Sequence, residues 1–196
     1  MIQGEDVFAV DVNTGVVTLI DGNLDRETRA KHALVVRASD NFPDNPRTAI
    51  VVIDVNVTDV NDNRPKFTSL YSVSLDEGYE INRSVVTVVA EDPDLGKGGE
   101  VTYEIVGGDS SFFKIDADTG EIWTVKALCY PQKQSLQVIV RATDKGDLPL
   151  VSSPDATVSV AVKNTNVYAP IFDALKPTYE VTENEPDVKV VTVHAR

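Results

Sequence analysis

The sequence predicts an all-β protein built from tandem seven-strand Greek-key sandwiches, with the first and last copies truncated. Three observations carry that expectation. Apolar residues alternate with period two rather than 3.6, turn residues separate the alternating runs, and the pattern recurs after about 105 residues.

The recurrence holds in three places. Phe8-Ala9-Val10-Asp11-Val12-Asn13-Thr14-Gly15 returns as Phe113-Lys114-Ile115-Asp116-Ala117-Asp118-Thr119-Gly120, Arg37-Ala38-Ser39-Asp40 as Arg141-Ala142-Thr143-Asp144, and Pro65-Lys66-Phe67 as Pro170-Ile171-Phe172. Between Phe67 and Lys163 the alternation predicts seven strands, at roughly 71–76, 84–91, 101–106, 112–116, 121–126, 135–143 and 156–163. Leu136, Val138, Val140 and Ala142 share one face, and Ala156, Val158, Val160 and Val162 another. In the earlier copy Val51, Ile53, Val55 and Val57 do the same. Seven strands in about a hundred residues fit an immunoglobulin-like sandwich. Only seven residues precede Phe8, so the first copy is expected to lack about 40 residues of the module. The expected organisation is therefore 1–63, the C-terminal part of one repeat plus a linker; 64–169, a complete repeat; and 170–196, an N-terminal stub.

A net charge of −13 argues against nucleic acid, whose phosphates need a basic surface, and suits divalent cations or a solvated acidic face. Cys129 is the only cysteine, so no intrachain disulfide forms. Two N-glycosylation tripeptides occur, Asn56-Val57-Thr58 and Asn82-Arg83-Ser84. No stretch approaches the roughly 18 apolar residues of a membrane span and no signal peptide opens the chain, so any anchor is expected outside it. A nucleophile elbow, a His-Glu-x-x-His pair and a Gly-rich phosphate loop are all absent from the sequence, which points away from an enzyme. Asp92 and Asp94, two apart on an expected strand, share a face and suit co-ligation of one ion better than flanking a sugar bond.

The run Asp59-Val60-Asn61-Asp62-Asn63-Arg64-Pro65 puts four oxygen-bearing side chains into five residues. That density becomes favourable when a hard cation shares the oxygens, and Ca²⁺ takes about 6–8 of them. In an extended run successive side chains point to opposite sides, so one linker reaches ions above and below it. A polar turn ended by Pro65 is the alternative for Asn-Asp-Asn taken alone.

The run resembles the inter-repeat linker of the cadherin superfamily, and the resemblance covers the whole chain. Together with Leu24-Asp25-Arg26-Glu27 and the spacing, it resembles the long non-classical members, of protocadherin, Fat or Dachsous-like type, more than the classical ones. The resemblance implies a junction Ca²⁺ cluster held by Asp25 and Glu27, by Asp59, Asn61 and Asp62, by the backbone carbonyls of Val60, Asn63 and one near Gly98, by Asp92 and Asp94, and by Asp144. Two carboxylates about 5 Å apart repel by roughly 3 kcal/mol at an effective dielectric near 20, so seven need counter-charge. Up to about three Ca²⁺ would come close to balance.

The second junction departs from this pattern. It reads Asn164-Thr165-Asn166-Val167-Tyr168, and Leu128-Cys129-Tyr130-Pro131 stands where the first copy has Leu-Asp-Arg-Glu. Glu77 and Asn166 remain, too few oxygens for a tight site. The resemblance would assign Asp40 and Glu183 to junctions before and after the chain. Cys129 is expected to be partly buried and passive, Trp123 to lie opposite Ile122 and Thr124 on a sheet surface, and His32 and His194 to be surface residues. The function implied is calcium-dependent cell–cell adhesion at the extracellular side of the plasma membrane, through contacts with other cadherin-like ectodomains. The alternative is a calcium-binding β-sandwich spacer or carbohydrate-binding module of a secreted or bacterial enzyme.

Overall fold

The computed structural model describes residues 2–3, 7–20, 22–40, 42–166, 169–174, 178–184 and 186–195. The middle repeat is a two-sheet sandwich. One sheet has the order β10-β13-β14-β7, formed by Val101–Gly108, Ser135–Asp144, Ala156–Lys163 and Tyr71–Asp76, with β7 parallel to β14 and the other pairs antiparallel. The facing sheet is β11-β12-β8, formed by Phe113–Ile115, Glu121–Thr124 and Ser84–Thr87. The period-two expectation places the core correctly. Leu136, Val138, Val140 and Ala142 of β13 pack with Val158, Val160 and Val162 of β14 and, across the sandwich, with Val88, Phe113 and Ile122.

The strand expected over 84–91 is two strands. After β8 the chain crosses to β9, Ala90–Glu91, which pairs with β6, Lys66–Phe67. The break at Val88–Val89 is held from outside the ladder. Val88 N–H donates to the Gly120 carbonyl at 3.0 Å. Val89 N–H donates to the Tyr71 hydroxyl at 2.8 Å, and that hydroxyl donates back to the Val89 carbonyl at 3.0 Å. Backbone groups satisfied this way do not need a neighbouring strand. The crossing brings the segment after β9 beside the linker that leads into β6.

The repeated motif has a local cause. The Asp116 carboxylate accepts from Asp118 N–H at 3.1 Å and Thr119 N–H at 2.9 Å, and Gly120 follows with φ +71°. In the first copy Asp11 accepts from Asn13 and Thr14, both at 2.8 Å, and Gly15 has φ +72°. Asp nucleates each turn and Gly alone takes its left-handed exit without strain.

The first copy consists of β1 (Ile2–Gln3), the hairpin β2–β3 (Phe8–Val10, Val17–Leu19), β4 (Lys31–Ser39) and β5 (Thr48–Asn56), with the sheet order β1-β4-β5. Leu34 is fully buried, whereas Ile50, Val51 and Val52 on β5 are more than half exposed. His32 is not a surface residue. It shares the inward face of β4 with Leu34 and packs edge-on against Phe8, ring centroids 5.4 Å apart, at 6% exposure. His194 is exposed. Beyond Lys163 the described residues form no regular strand. A single bridge joins Phe172 to Ala195, and Asp173 N–H donates to the His194 carbonyl at 2.9 Å. No helix among the described residues is long and apolar enough to cross a membrane.

Candidate metal centre

The linker runs extended, and its side chains alternate as the sequence predicts. Asp59, Asn61 and Asn63 turn inward and are half-buried, while Val60, Asp62 and Arg64 are exposed. Asp59 and Asn63 meet the loop after β9, and Asn61 meets the end of β13 and the loop that follows it. Leu95 N–H donates to Asp59 Oδ2 at 2.9 Å. Asn61 Nδ2 donates to Asp144 Oδ1 at 3.3 Å and to the Leu148 carbonyl at 3.0 Å. Asn63 donates twice to Asp94, from N–H at 3.1 Å and from Nδ2 at 2.7 Å.

Asp92-Pro93-Asp94 follows β9 as a loop, not as an extended strand with both acids on one face. Pro93 ends the pairing, and Asp92 Oδ1 accepts the Asp94 N–H at 3.0 Å in a local turn. Asp144, at the end of β13, is 2% exposed. Its carboxylate accepts from Gly146 N–H and Leu150 N–H, both at 2.8 Å. Gly98 is buried, and a Cβ there would stand 2.5 Å from Asn61 Oδ1. The structure thus brings Glu27, Asp59 and Asp94 together: one oxygen from each, all within 4.8 Å of one another. The first repeat, the linker and the second repeat each contribute one acid.

Asp25 and Asp62 stay outside this trio. Asp25 accepts from Glu27 N–H at 3.0 Å and from the Thr28 hydroxyl, which holds its carboxyl below the usual range. Asp62 is exposed and accepts from Asn63 Nδ2 at 2.9 Å. Arg26, to which sequence reasoning gave no role, lies inside the cluster. Its guanidinium pairs with Asp59 and Glu27 and donates to the Pro93 carbonyl at 2.6 Å. Nothing in the spacing of Leu-Asp-Arg-Glu foretells that contact.

Two atoms test whether a cation fits. Asn61 Oδ1 and Asp92 Oδ2 are buried and have no hydrogen-bond partner among the described residues. A buried oxygen without a partner costs about 1–3 kcal/mol. Burial, followed by the charges of Asp94, Asp144 and Asp59, pushes the Asp92 carboxyl up. The donor set is entirely oxygen, which suits a hard divalent cation rather than zinc or copper. The residues fit Ca²⁺.

At the second junction Glu77 is buried, and its Oε1 accepts from Thr165 N–H at 3.0 Å. Asn164 Oδ1 accepts from Asn166 N–H at 3.0 Å, and Val167 and Tyr168 lie outside the described residues.

The sequence matches the family model for the cadherin domain over residues 1–58 and 71–163. The chain belongs to the cadherin family. Mouse protocadherin Fat 2 is 40% identical over 183 residues, covering 91% of this chain and 4% of that protein. Human protocadherin-16 is 39% identical over 183 residues, covering 93% and 5%. Cadherin repeats of known structure superpose well. Domains 3–6 of the protocadherin gamma B2 ectodomain give a TM-score of 0.78 at 29% identity, over 90% of this chain and 44% of that one. Mouse cadherin-23 EC22-24 gives 0.75 at 32% identity, over 83% and 51%. The chain spans about one twentieth of the length of the curated relatives named here.

Proposed function

We propose that this chain is part of a non-enzymatic adhesion ectodomain, stiffened by Ca²⁺ between its first and middle repeats and held at the extracellular face of the plasma membrane. The repeats divide at 1–63, 64–169 and 170–196. The cation set is Asp25, Glu27, Asp59, Asn61, Asp62, Asp92, Asp94 and Asp144 by side chain, with the carbonyls of Val60, Asn63 and the Gly98 segment. The observation that carries the reading is the pair of partnerless buried oxygens, Asn61 Oδ1 and Asp92 Oδ2, beside three carboxylates drawn from both repeats and their linker.

Bound Ca²⁺ would neutralise these carboxylates and take up the unpartnered oxygens. The chain's own residues do the rest. Asn61 and Asn63 tie the linker to the β13 end and to the Asp94 loop, and Asp59 ties it to Leu95. Arg26 supplies positive charge and reaches across to Pro93, so the first repeat is joined to the second even by protein groups alone. With the carboxylates neutralised, the joint becomes one rigid unit that presents distal surfaces to other cadherin-like ectodomains at defined geometry. The junction at 164–168 carries too few acids for the same treatment.

Calorimetric titration of the chain with Ca²⁺ tests the reading, with Mg²⁺ as the competing hard ion. Binding of more than one Ca²⁺, abolished by joint Asp59→Asn and Asp92→Asn substitution, is the expected result. Heat unaltered by that double substitution would place the sites elsewhere.

A further inference from the structure

The strongest feature that the junction does not use is on the outer face of the three-stranded sheet. Strand register aligns Lys114 of β11, Trp123 of β12 and Ser84 of β8 in one cross-strand row. Trp123 is half-buried, while its neighbours Ile122 and Thr124 are fully buried beneath it. Lys114 Nζ lies 5.9 Å from the indole centroid and donates to Asn82 Oδ1 at 3.2 Å. Asn82 and Ser84 are the first and third residues of an Asn-x-Ser acceptor tripeptide.

The turn that presents Asn82 is fixed. Its φ is 60°, its N–H donates to the Thr124 carbonyl at 2.8 Å, and the buried Thr124 hydroxyl donates to the Glu80 carbonyl at 2.6 Å. Asn82 is itself exposed, and its Nδ2 is the amide atom that Lys114 does not engage. Beside it opens a cavity of about 420 Å³, lined by Trp123 and Ile115 together with Asn82, Lys114, Asp116 and Glu121. That is within the range of about 300–1,000 Å³ typical of small-ligand sites; its lining is mostly polar with one aromatic wall, which suits a sugar, polar at its hydroxyls and apolar on its C–H face. Asn56, by contrast, closes β5 opposite Lys31, with the following Val57 N–H bound to the Ala30 carbonyl at 3.0 Å.

We infer that Asn82 carries an N-linked glycan whose first N-acetylglucosamine packs in this cavity against Trp123. Asn82 Nδ2 forms a bond to C1 of the reducing-end sugar of a lipid-diphosphate-linked oligosaccharide. The bond from C1 to the phosphate oxygen breaks, the lipid diphosphate leaves with the electron pair, and one amide proton passes to the transferase's base. The sugar's apolar C–H face then meets the indole, while Lys114, Asp116 and Glu121 take its polar groups. The inference rests on the extracellular reading above, which supplies passage through the secretory route.

The chain's single tryptophan makes the test direct. The chain is secreted from cultured vertebrate cells that make high-mannose glycans, alongside Asn82→Gln, Ser84→Ala and Asn56→Gln, and peptide mapping locates the glycan. Endoglycosidase H then trims the glycan to one N-acetylglucosamine. Expected are modification at Asn82, lost in Asn82→Gln and in Ser84→Ala. Expected also is a Trp123 emission shifted to shorter wavelength and less quenched by acrylamide in the one-sugar form than in either unmodified variant. A secreted chain with Asn82 unmodified overturns the inference, as does a modified chain whose Trp123 emission matches the variants. Calcium binding measured on the same samples separates either failure from failure of the adhesion reading.

Discussion

Asp94→Asn separates the electrostatic cost of the acid cluster from its use. Asp94 is 5% exposed, and one of its oxygens lies within 4.8 Å of oxygens on Asp59 and Glu27. At an effective dielectric near 20, Asp59 and Asp94 repel across that distance by about 3 kcal/mol, reduced by the charge Arg26 places beside Asp59. Removing the Asp94 charge relieves this. Against the relief stand the two bonds from Asn63, at 3.1 and 2.7 Å. A bond to a charged acceptor contributes about 1.5–3 kcal/mol and a neutral one about 1, and the new amide nitrogen faces one donor. Relief and loss nearly cancel. In chelator the variant is therefore expected to unfold within about 1 kcal/mol of the parent.

In Ca²⁺ the lost ligand decides the outcome. An ion that binds only the folded state stabilises it by RT ln(1 + [L]/Kd), so a tenfold weaker site removes about 1.4 kcal/mol at saturating ion. For a domain of about a hundred residues that is a fall of several degrees in Tm. The assay is thermal unfolding followed at the single tryptophan, in EGTA and across a Ca²⁺ series. The expected pattern is two nearly coincident curves in chelator that separate as Ca²⁺ rises. An equal loss of stability in both conditions would mean that Asp94 serves only to hold Asn63, and the metal reading of this carboxylate would fall.

Three further outcomes are expected. Gly98→Ala should weaken Ca²⁺ binding without removing any charge, because its Cβ would stand 2.5 Å from Asn61 Oδ1 and 3.0 Å from Asp94 Cβ; Gly22→Ala, with open space around it, should leave the calorimetric titration unchanged. Asp62→Ala should lower Ca²⁺ affinity more than Asp40→Ala, whose carboxylate accepts from Arg47 N–H at 2.9 Å in its own loop; equal effects would reassign the junctions. In chelator, stability should rise slightly as pH falls and the raised Asp92 carboxyl takes up its proton, and then fall below about pH 4. The Arg141 guanidinium beside Asp155, Lys133 beside Asp109 and the Thr119 N–H on Asp116 hold these carboxyls below their usual range. Their contribution is complete above the unfolded carboxylate pKa near 4 and is lost as pH falls through the lower folded values. Urea midpoints across that window, flatter for Asp155→Asn, check it.

The fold was legible because its determinants are local. Period-two burial in β13 and β14 and the Asp–Gly turns at Asp11 and Asp116 are written in consecutive residues, and the sequence reports them directly. The break at Val88–Val89 was not legible, since it depends on the hydroxyl of Tyr71 and on the carbonyl of Gly120, both distant in sequence. His32 was misread for a similar reason. A histidine says little about its face until the β2–β3 hairpin is known to cover it. At the candidate site the alternation of the linker was visible, but Arg26 was not. Its position among the acids follows from how the first repeat meets the Pro93 loop, a contact between residues 67 apart.

The two junctions set a limit on how far charge alone explains the joint. Repulsion needs at least two carboxylates in reach of one another, and the first junction gathers Glu27, Asp59 and Asp94. At the second, Glu77 already has an oxygen bound to Thr165 N–H, and the cysteine and proline at Cys129 and Pro131 replace the acid-bearing loop of the first copy. With little charge to neutralise, that linker gains little from a cation, and its described residues are tied by the bonds from Thr165 N–H to Glu77 and from Asn166 N–H to Asn164. Ca²⁺ is therefore expected to slow amide exchange across 59–63 and 92–98 while leaving 164–166 unchanged. Equal protection of both segments by Ca²⁺ would show that the ion tightens the repeats generally rather than through the acids counted here.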